Sequence, residues 1–228
     1  MNIFQRIAYF FMSQKEKSLS KKLNKHFETS ATNSTSKTVI STAYTMTLNS
    51  VTQKNIELVK TTVTGMVKQF NYHPGKLLDF IIAKGTPVVK IKDATKKLAK
   101  IKLEPGFIGE ITGLDAIYLG FISGLNMGLS TVPLIAIEDD KLDTTFIIHE
   151  FYKWFSYYKG LPGFDKASQE LFRASLAGKI NMKSLTLKQM TGLREAINRD
   201  QEATDFSLLI VREFEAAKKI QENGEANV

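Results

Sequence analysis

The chain contains no cysteine among its 228 residues. This absence excludes disulfide bonds, thiolate metal sites and cysteine nucleophiles, and it fits a reducing compartment. The N-terminus also lacks the charge order and the small-residue cleavage site of a secretory signal, so we expect no cleavable leader. We therefore predict a cytoplasmic location, or one within a virion or another large assembly.

Histidine is scarce, with three residues in the chain, and this excludes a zinc-protease motif. His149-Glu150 could begin a His-Glu-x-x-His helix, but Lys153 occupies the position of the second histidine. We expect Glu150 to pair with Lys153 on the least buried stripe of its helix. If both prove deeply buried, Glu150 should have a raised carboxyl pKa. His149 and Glu150 are the catalytic candidates, and an enzyme is not the favoured interpretation.

One acidic cluster could supply the oxygen ligands that Mg²⁺ or Ca²⁺ prefers. It comprises Glu138, Asp139, Asp140 and Asp143, which follow an apolar segment. Acidic residues before a helix also interact favourably with its N-terminal dipole and cap its free amides, and this is the preferred interpretation. We predict neither a metal nor a cofactor.

The formal net charge is +8, and most of the excess lies at the N-terminus. Residues 1–50 carry seven basic and two acidic side chains, which gives a net charge of +5. Residues 1–28 form a predicted amphipathic arm whose basic part could bind nucleic acid, a membrane surface or another protein. The candidate binding residues are Lys15, Lys17, Lys21, Lys22 and Lys25. The alternative for the basic part is a solvated, solubilising tail. For the apolar face of Met1–Met12, docking onto the protein's own body is preferred over docking to a membrane or to a partner protein.

Small residues recur at four-residue spacing within the longest uncharged run, which extends from Ala116 to Ile137. They are Ala116, Gly120, Gly124 and Gly128. We predict a helix from Thr112 to Leu129, in which each glycine costs about 1 kcal/mol relative to alanine. Close packing of another helix would compensate, and the aromatic segment around Trp154 is the expected partner. A membrane span is disfavoured by Pro133 and by the acidic residues on both sides.

Hydrophobic periodicity predicts a mainly helical α+β fold. Helices are expected over 52–70, 76–84, 146–158, 165–177, 187–199 and 203–220, of which the last two could form one long helix. Strands are expected over 38–48, 88–92, 100–103 and 132–137, forming a small sheet beside a core of apolar helices. Residues 29–228 would form a single domain with a helical C-terminal third, at about 165–221.

No catalytic, metal or nucleotide motif remains, so the function is inferred largely by exclusion. The favoured hypothesis is a structural or assembly protein that acts through protein–protein contacts, with itself or with other proteins of a large complex such as a virion. One alternative is a peripheral membrane or nucleic-acid binder that uses the basic arm. The other is an enzyme with a carboxylate and histidine site near 138–150.

Overall fold

The computed structural model describes residues 38–92, 103–112, 118–123, 133–138 and 142–225, with backbone alone at 38–51, 111–112 and 224–225. The predominantly helical α+β fold predicted from the sequence is confirmed. The described helices are α1 (Thr38–Gln69), α2 (Pro74–Ala83), α3 (Thr144–Tyr158), α4 (Lys166–Leu176) and α5 (Leu187–Glu225). The strands are β1 (Val88–Lys92), β2 (Ile108–Thr112), β3 (Gly120–Ile122) and β4 (Leu134–Glu138). The predicted arm at residues 1–28 lies outside the described residues.

The four strands form one mixed sheet in the order β2-β1-β4-β3. β1 pairs in parallel with both β2 and β4, whereas β3 pairs antiparallel to β4. Successive side chains of a strand point to opposite faces, so β1 and β4 contribute to a hydrophobic core on each side of the sheet. The larger core lies between the sheet and helices α1, α2, α3 and α5.

Helix α3 lies at the centre of the larger core. Its residues from Ile147 to Ser156 are all buried, as expected for a helix that is apolar on nearly every face. Phe151 stacks on Trp154 at a centroid distance of 5.7 Å, and Phe80 of α2 meets both rings edge-on. This helix is therefore central to the core and enclosed by the other elements.

One predicted element is wrong, and a second is wrong at the one residue that can be compared. Residues 38–48, expected as a strand, form the first turns of α1. Once a helix is nucleated, extending it by one residue is far easier than starting it, and the strong helical period that follows carries the helix back through this threonine-rich segment. Leu103, expected at the end of a strand, lies in no strand, and residues 100–102 lie outside the described residues.

The predicted helix from Thr112 to Leu129 is also wrong at the residues that the structure describes. Gly120 begins strand β3 with a φ of +104°, which no helix permits. β3 instead satisfies its backbone by pairing with β4, with Phe121 opposite Ile135. Ala116, Gly124 and Gly128 lie outside the described residues.

Helix α5 is continuous over 39 residues, which corresponds to about 58 Å at 1.5 Å per residue. The alternative of one long C-terminal helix is therefore the one observed. Among the described residues, no helix combines the length and the apolar character needed to cross a bilayer.

The close approach of the loop after α3 to helix α5 yields a prediction. Gly163 has a φ of +95°, and an added Cβ would lie 2.6 Å from the carbonyl carbon of Glu195 and 2.7 Å from the amide nitrogen of Ala196. Gly163→Ala should therefore lower the free energy of unfolding by about 2–4 kcal/mol, through left-handed strain and overpacking together. Urea titration followed by circular dichroism measures the change.

Gly160→Ala is the matched control. Its φ is +70°, but nothing lies within 4 Å of an added Cβ. It should cost only the left-handed strain of about 1 kcal/mol. Equal losses in the two variants would show that the contact with α5 does not constrain this loop.

Candidate functional site

The candidate site is a buried cluster of ionisable side chains on the inner length of α3. Asp143 positions the helix by capping its first turn, where its Oδ1 accepts a hydrogen bond from Phe146 N at 2.9 Å. His149, Glu150 and Lys153 are only 6%, 2% and 7% exposed. The expectation that Glu150 and Lys153 lie on the least buried stripe is wrong, because polar partners on other elements reach them inside the core.

Glu150 links α3 to the sheet. Its Oε1 lies 2.5 Å from His149 Nδ1, and its Oε2 accepts a hydrogen bond from the backbone N–H of Phe121 in β3. The same Oε2 lies 3.8 Å from Lys153 Nζ. The carboxylate thus satisfies a backbone amide of a strand that is distant in sequence while it faces a cation on its own helix.

Gly120 makes this approach possible. A Cβ at this position would lie 2.6 Å from the carboxyl carbon of Glu150. Gly120 thus lets the backbone of β3 approach α3 closely. The close approach was predicted from a glycine-rich helix, but it is made by a strand. Trp154, the expected packing partner of the glycines, contacts Phe80, Phe151, Phe155 and Tyr158.

Asp200 links α3 to the long helix α5. Lys153 Nζ donates a hydrogen bond to Asp200 Oδ1 at 2.9 Å. His149 Nε2 lies 3.7 Å from the same oxygen and forms no hydrogen bond there. Lys153 is therefore shared between two carboxylates, one on its own helix and one on α5.

Arg173 brings a second cation from α4. It is 6% exposed, its guanidinium carbon lies 5.5 Å from the ring centroid of Tyr118, and it donates a hydrogen bond to the Gln169 carbonyl at 3.2 Å. Burial lowers the pKa of Arg173 to about 10, against the opposing attraction of Glu150 and Asp200. The group therefore stays charged at neutral pH, and its direct contacts are with Gln169 and Tyr118.

The pKa shifts of the central pair reflect mutual stabilisation of their charged forms. Burial acts to raise the pKa of Glu150, but Lys153 and His149 outweigh burial and hold that pKa below its usual value of 4.5. Burial acts to lower the pKa of Lys153, but Asp200 and Glu150 hold it above its usual value of 10.5. The conditional expectation of a raised pKa for Glu150 is wrong, because Lys153 and His149 on the same helix, together with the Phe121 amide, stabilise the carboxylate more than burial destabilises it.

A second polar group connects α3 to α5 beside Asp200. Tyr152 donates a hydrogen bond to Glu202 at 3.3 Å, and Arg199 NH1 lies 2.9 Å from the same Glu202 carboxylate. Burial raises the pKa of Tyr152, so its hydroxyl remains a donor. Two polar groups at adjacent positions of α5 thus fix the register between α3 and α5.

The remaining predicted site residues are not brought into this cluster. Glu138 is exposed at the end of β4, and Asp143 caps α3. Asp139 and Asp140, together with Lys15, Lys17, Lys21, Lys22 and Lys25, lie outside the described residues. Within the described ranges, no group of three or more histidine or acidic side chains is arranged to hold a metal ion.

Comparison of the chain with protein-family models, with curated proteins and with solved structures found no match. The chemistry of the site therefore has to be judged from its own geometry. Asp200, Arg173 and the Phe121 amide were not anticipated from the sequence, since they come from three elements outside α3.

Removing the central cation should unbalance the cluster. Lys153→Met leaves Glu150 and Asp200 buried without their shared partner, so the free energy of unfolding should fall by about 3–5 kcal/mol. The double variant Glu150→Gln/Lys153→Met should lose less than the sum of the two single losses, because it removes a charge of each sign. Chemical denaturation of the three variants and the wild type completes the cycle.

Lys179→Met is the matched control for charge removal, since Lys179 is exposed in the turn after α4. It should change stability by less than about 0.5 kcal/mol. Strict additivity in the cycle would contradict the coupling of Glu150 and Lys153.

The lowered pKa of Glu150 predicts the direction of the pH dependence. Its contribution to stability is fully present above the unfolded pKa of about 4.5 and is lost as the pH falls through the lower folded pKa. Wild type should therefore be more stable than Glu150→Gln at neutral pH, and the difference should shrink as the pH falls to about 3. A difference that is constant from neutral to acid pH in urea titrations would show that Glu150 is not stabilised as a carboxylate.

Proposed function

We propose that the protein is a structural or assembly protein that works through protein–protein contacts, and that the outer end of α5 is its contact segment. The observation that carries the proposal is the exposure of this end. Phe214, whose ring stacks on Tyr72 at 4.4 Å, is the last partly buried residue among the helix positions up to 223 whose burial the structure describes. Every residue from 215 to 223 is exposed.

The extension receives little packing from its own subunit, although most helices in folded proteins owe their stability to such packing. The anchored part of α5 propagates the helix into the extension, and a partner would supply the packing that these turns lack. Ile220 is 74% exposed on this extension, and Leu208 and Leu209, about three turns earlier in α5, are 42% and 54% exposed. These apolar side chains and the unpacked turns between them are what a partner helix or groove would cover.

The buried cluster supports the same proposal. Lys153 lies between Glu150 and Asp200 inside the subunit, so these charges already serve the packing of α3 against α5 and β3. Ionisable side chains that are paired in this way favour a structural role over substrate chemistry.

Site-specific photo-crosslinking tests the proposal. A benzoylphenylalanine at position 220 in the full chain should form protein adducts in cells that produce it, and mass spectrometry should identify one recurring partner. The same photoreactive group at position 179, which is exposed but distant in sequence from the extension, should not form that adduct. If position 220 forms no adduct beyond those that position 179 also forms, the proposal is overturned.

A further inference from the structure

We propose that the exposed end of α3 binds a single-stranded stretch of nucleic acid, with Tyr158 as the platform on which a base stacks. The proposal goes beyond the contact role of α5 and does not rest on it. It starts from three rings on one stripe of α3, here called the aromatic column, which are Phe151, Trp154 and Tyr158. Successive rings stack at centroid distances of 5.7 and 5.8 Å, with interplanar angles of 10° and 17°.

The aromatic column runs from the core to the surface. Phe151 and Trp154 are 0% and 5% exposed, whereas Tyr158 is 70% exposed. Phe80 of α2 meets the two inner rings edge-on, 6.0 Å from each. The outermost ring is therefore supported by a fixed stack and is open to solvent. Such a preorganised ring can accept another flat ring with little further loss of conformational entropy.

Two lysines lie beside the aromatic column. Lys84 Nζ lies 5.3 Å from the ring centroid of Phe80, and Lys159 Nζ lies 5.3 Å from that of Phe155. Both of these rings contact Trp154, at 6.0 and 6.1 Å. Residues 80–87 and 154–163 contain no acidic side chain. A stacking ring with cations close by matches a base and the phosphates on either side of it.

The charges of these two lysines are available to a ligand. Each lysine is the C-cap of its helix, where a cation interacts favourably with the helix dipole. This role explains their positions and leaves their ammonium groups at the surface. Both side chains are exposed, and within the described ranges neither forms an ion pair with a carboxylate.

The distribution of exposure favours a single strand over a bilayer or a duplex. The large rings next to Tyr158, those of Trp154 and Phe155, are 5% and 6% exposed, so little apolar surface could enter a membrane. Stacking of a base needs only one open ring. The faces of bases are covered within a duplex and accessible in a single strand. The net charge of +8 adds a general attraction to a polyanion.

Oligonucleotide binding by the full chain tests the proposal. Fluorescence anisotropy is measured with labelled oligouridine and oligodeoxythymidine of about 12 nucleotides. Tyr158→Ala should weaken binding about tenfold, because the stacked ring is lost. Tyr158→Phe keeps the ring and should bind like wild type. A preference for one of the two oligonucleotides identifies the ligand as RNA or DNA.

Salt dependence tests the two lysines. Lys84→Gln and Lys159→Gln should each reduce the slope of log association constant against log salt concentration by about 0.7, since each removes one phosphate contact to a single strand. Lys179→Gln, in the exposed turn after α4, should leave the slope unchanged. Circular dichroism should show the same helix content in all variants.

Photo-crosslinking locates the base. An oligouridine that carries 5-iodouridine should form an adduct that mass spectrometry maps to Tyr158. The proposal is overturned if wild type binds neither oligonucleotide at low salt, or if Tyr158→Ala binds as tightly as Tyr158→Phe, as expected when basic residues elsewhere hold the strand. It is also overturned if only vesicles of phosphatidylserine and phosphatidylcholine bind in a Tyr158-dependent way, which would assign the surface to lipid. Each of these results leaves the adduct at position 220 as a separate test of the proposed function.

Discussion

The rest of the structure depends on the burial of charge along one face of α3. Lys153 and Glu150 lie inside a hydrophobic core, where an unpaired ion would cost several kcal/mol or more. Each charge therefore requires a partner from another element, and the two partners are Asp200 on α5 and the Phe121 amide on β3. The positions of α5 and of the sheet edge follow from this requirement as much as from apolar packing.

Elements that depend on neighbouring residues were predicted correctly from the sequence. The prediction failed where a position depends on residues that are distant in the chain. The helical period after residue 52 and the apolar run before Glu138 identified a helix and a strand correctly. Gly120 was misinterpreted, because four-residue spacing of small residues resembles a helix ridge. Position 120 needs a glycine because the Glu150 carboxylate, 30 positions later in the chain, lies against it and because its φ is positive. Neither requirement can be read from neighbouring residues.

The candidate site was half predictable for the same reason. Pairing of Glu150 with Lys153 follows from their spacing on a helix, and the two atoms do lie 3.8 Å apart. Asp200 and Arg173 could not be found, since no motif links them to α3. One signal was available: a helix that is apolar on nearly every face must be enclosed, so its ionisable residues must be buried and need partners from elsewhere.

The inner and outer parts of α5 differ in how much they pack against the subunit. The inner half is held by Asp200, Glu202 and the apolar residues through Ile210, all of which face α3 or the core around it. The outer half has no such support after Phe214. Because helix formation is cooperative, the anchored half templates the outer turns and reduces the conformational entropy that a partner must offset on binding. The buried charge cluster and the exposed outer end of α5 are thus coupled through one helix. The cluster fixes the position of α5, and α5 holds its exposed end in an ordered conformation.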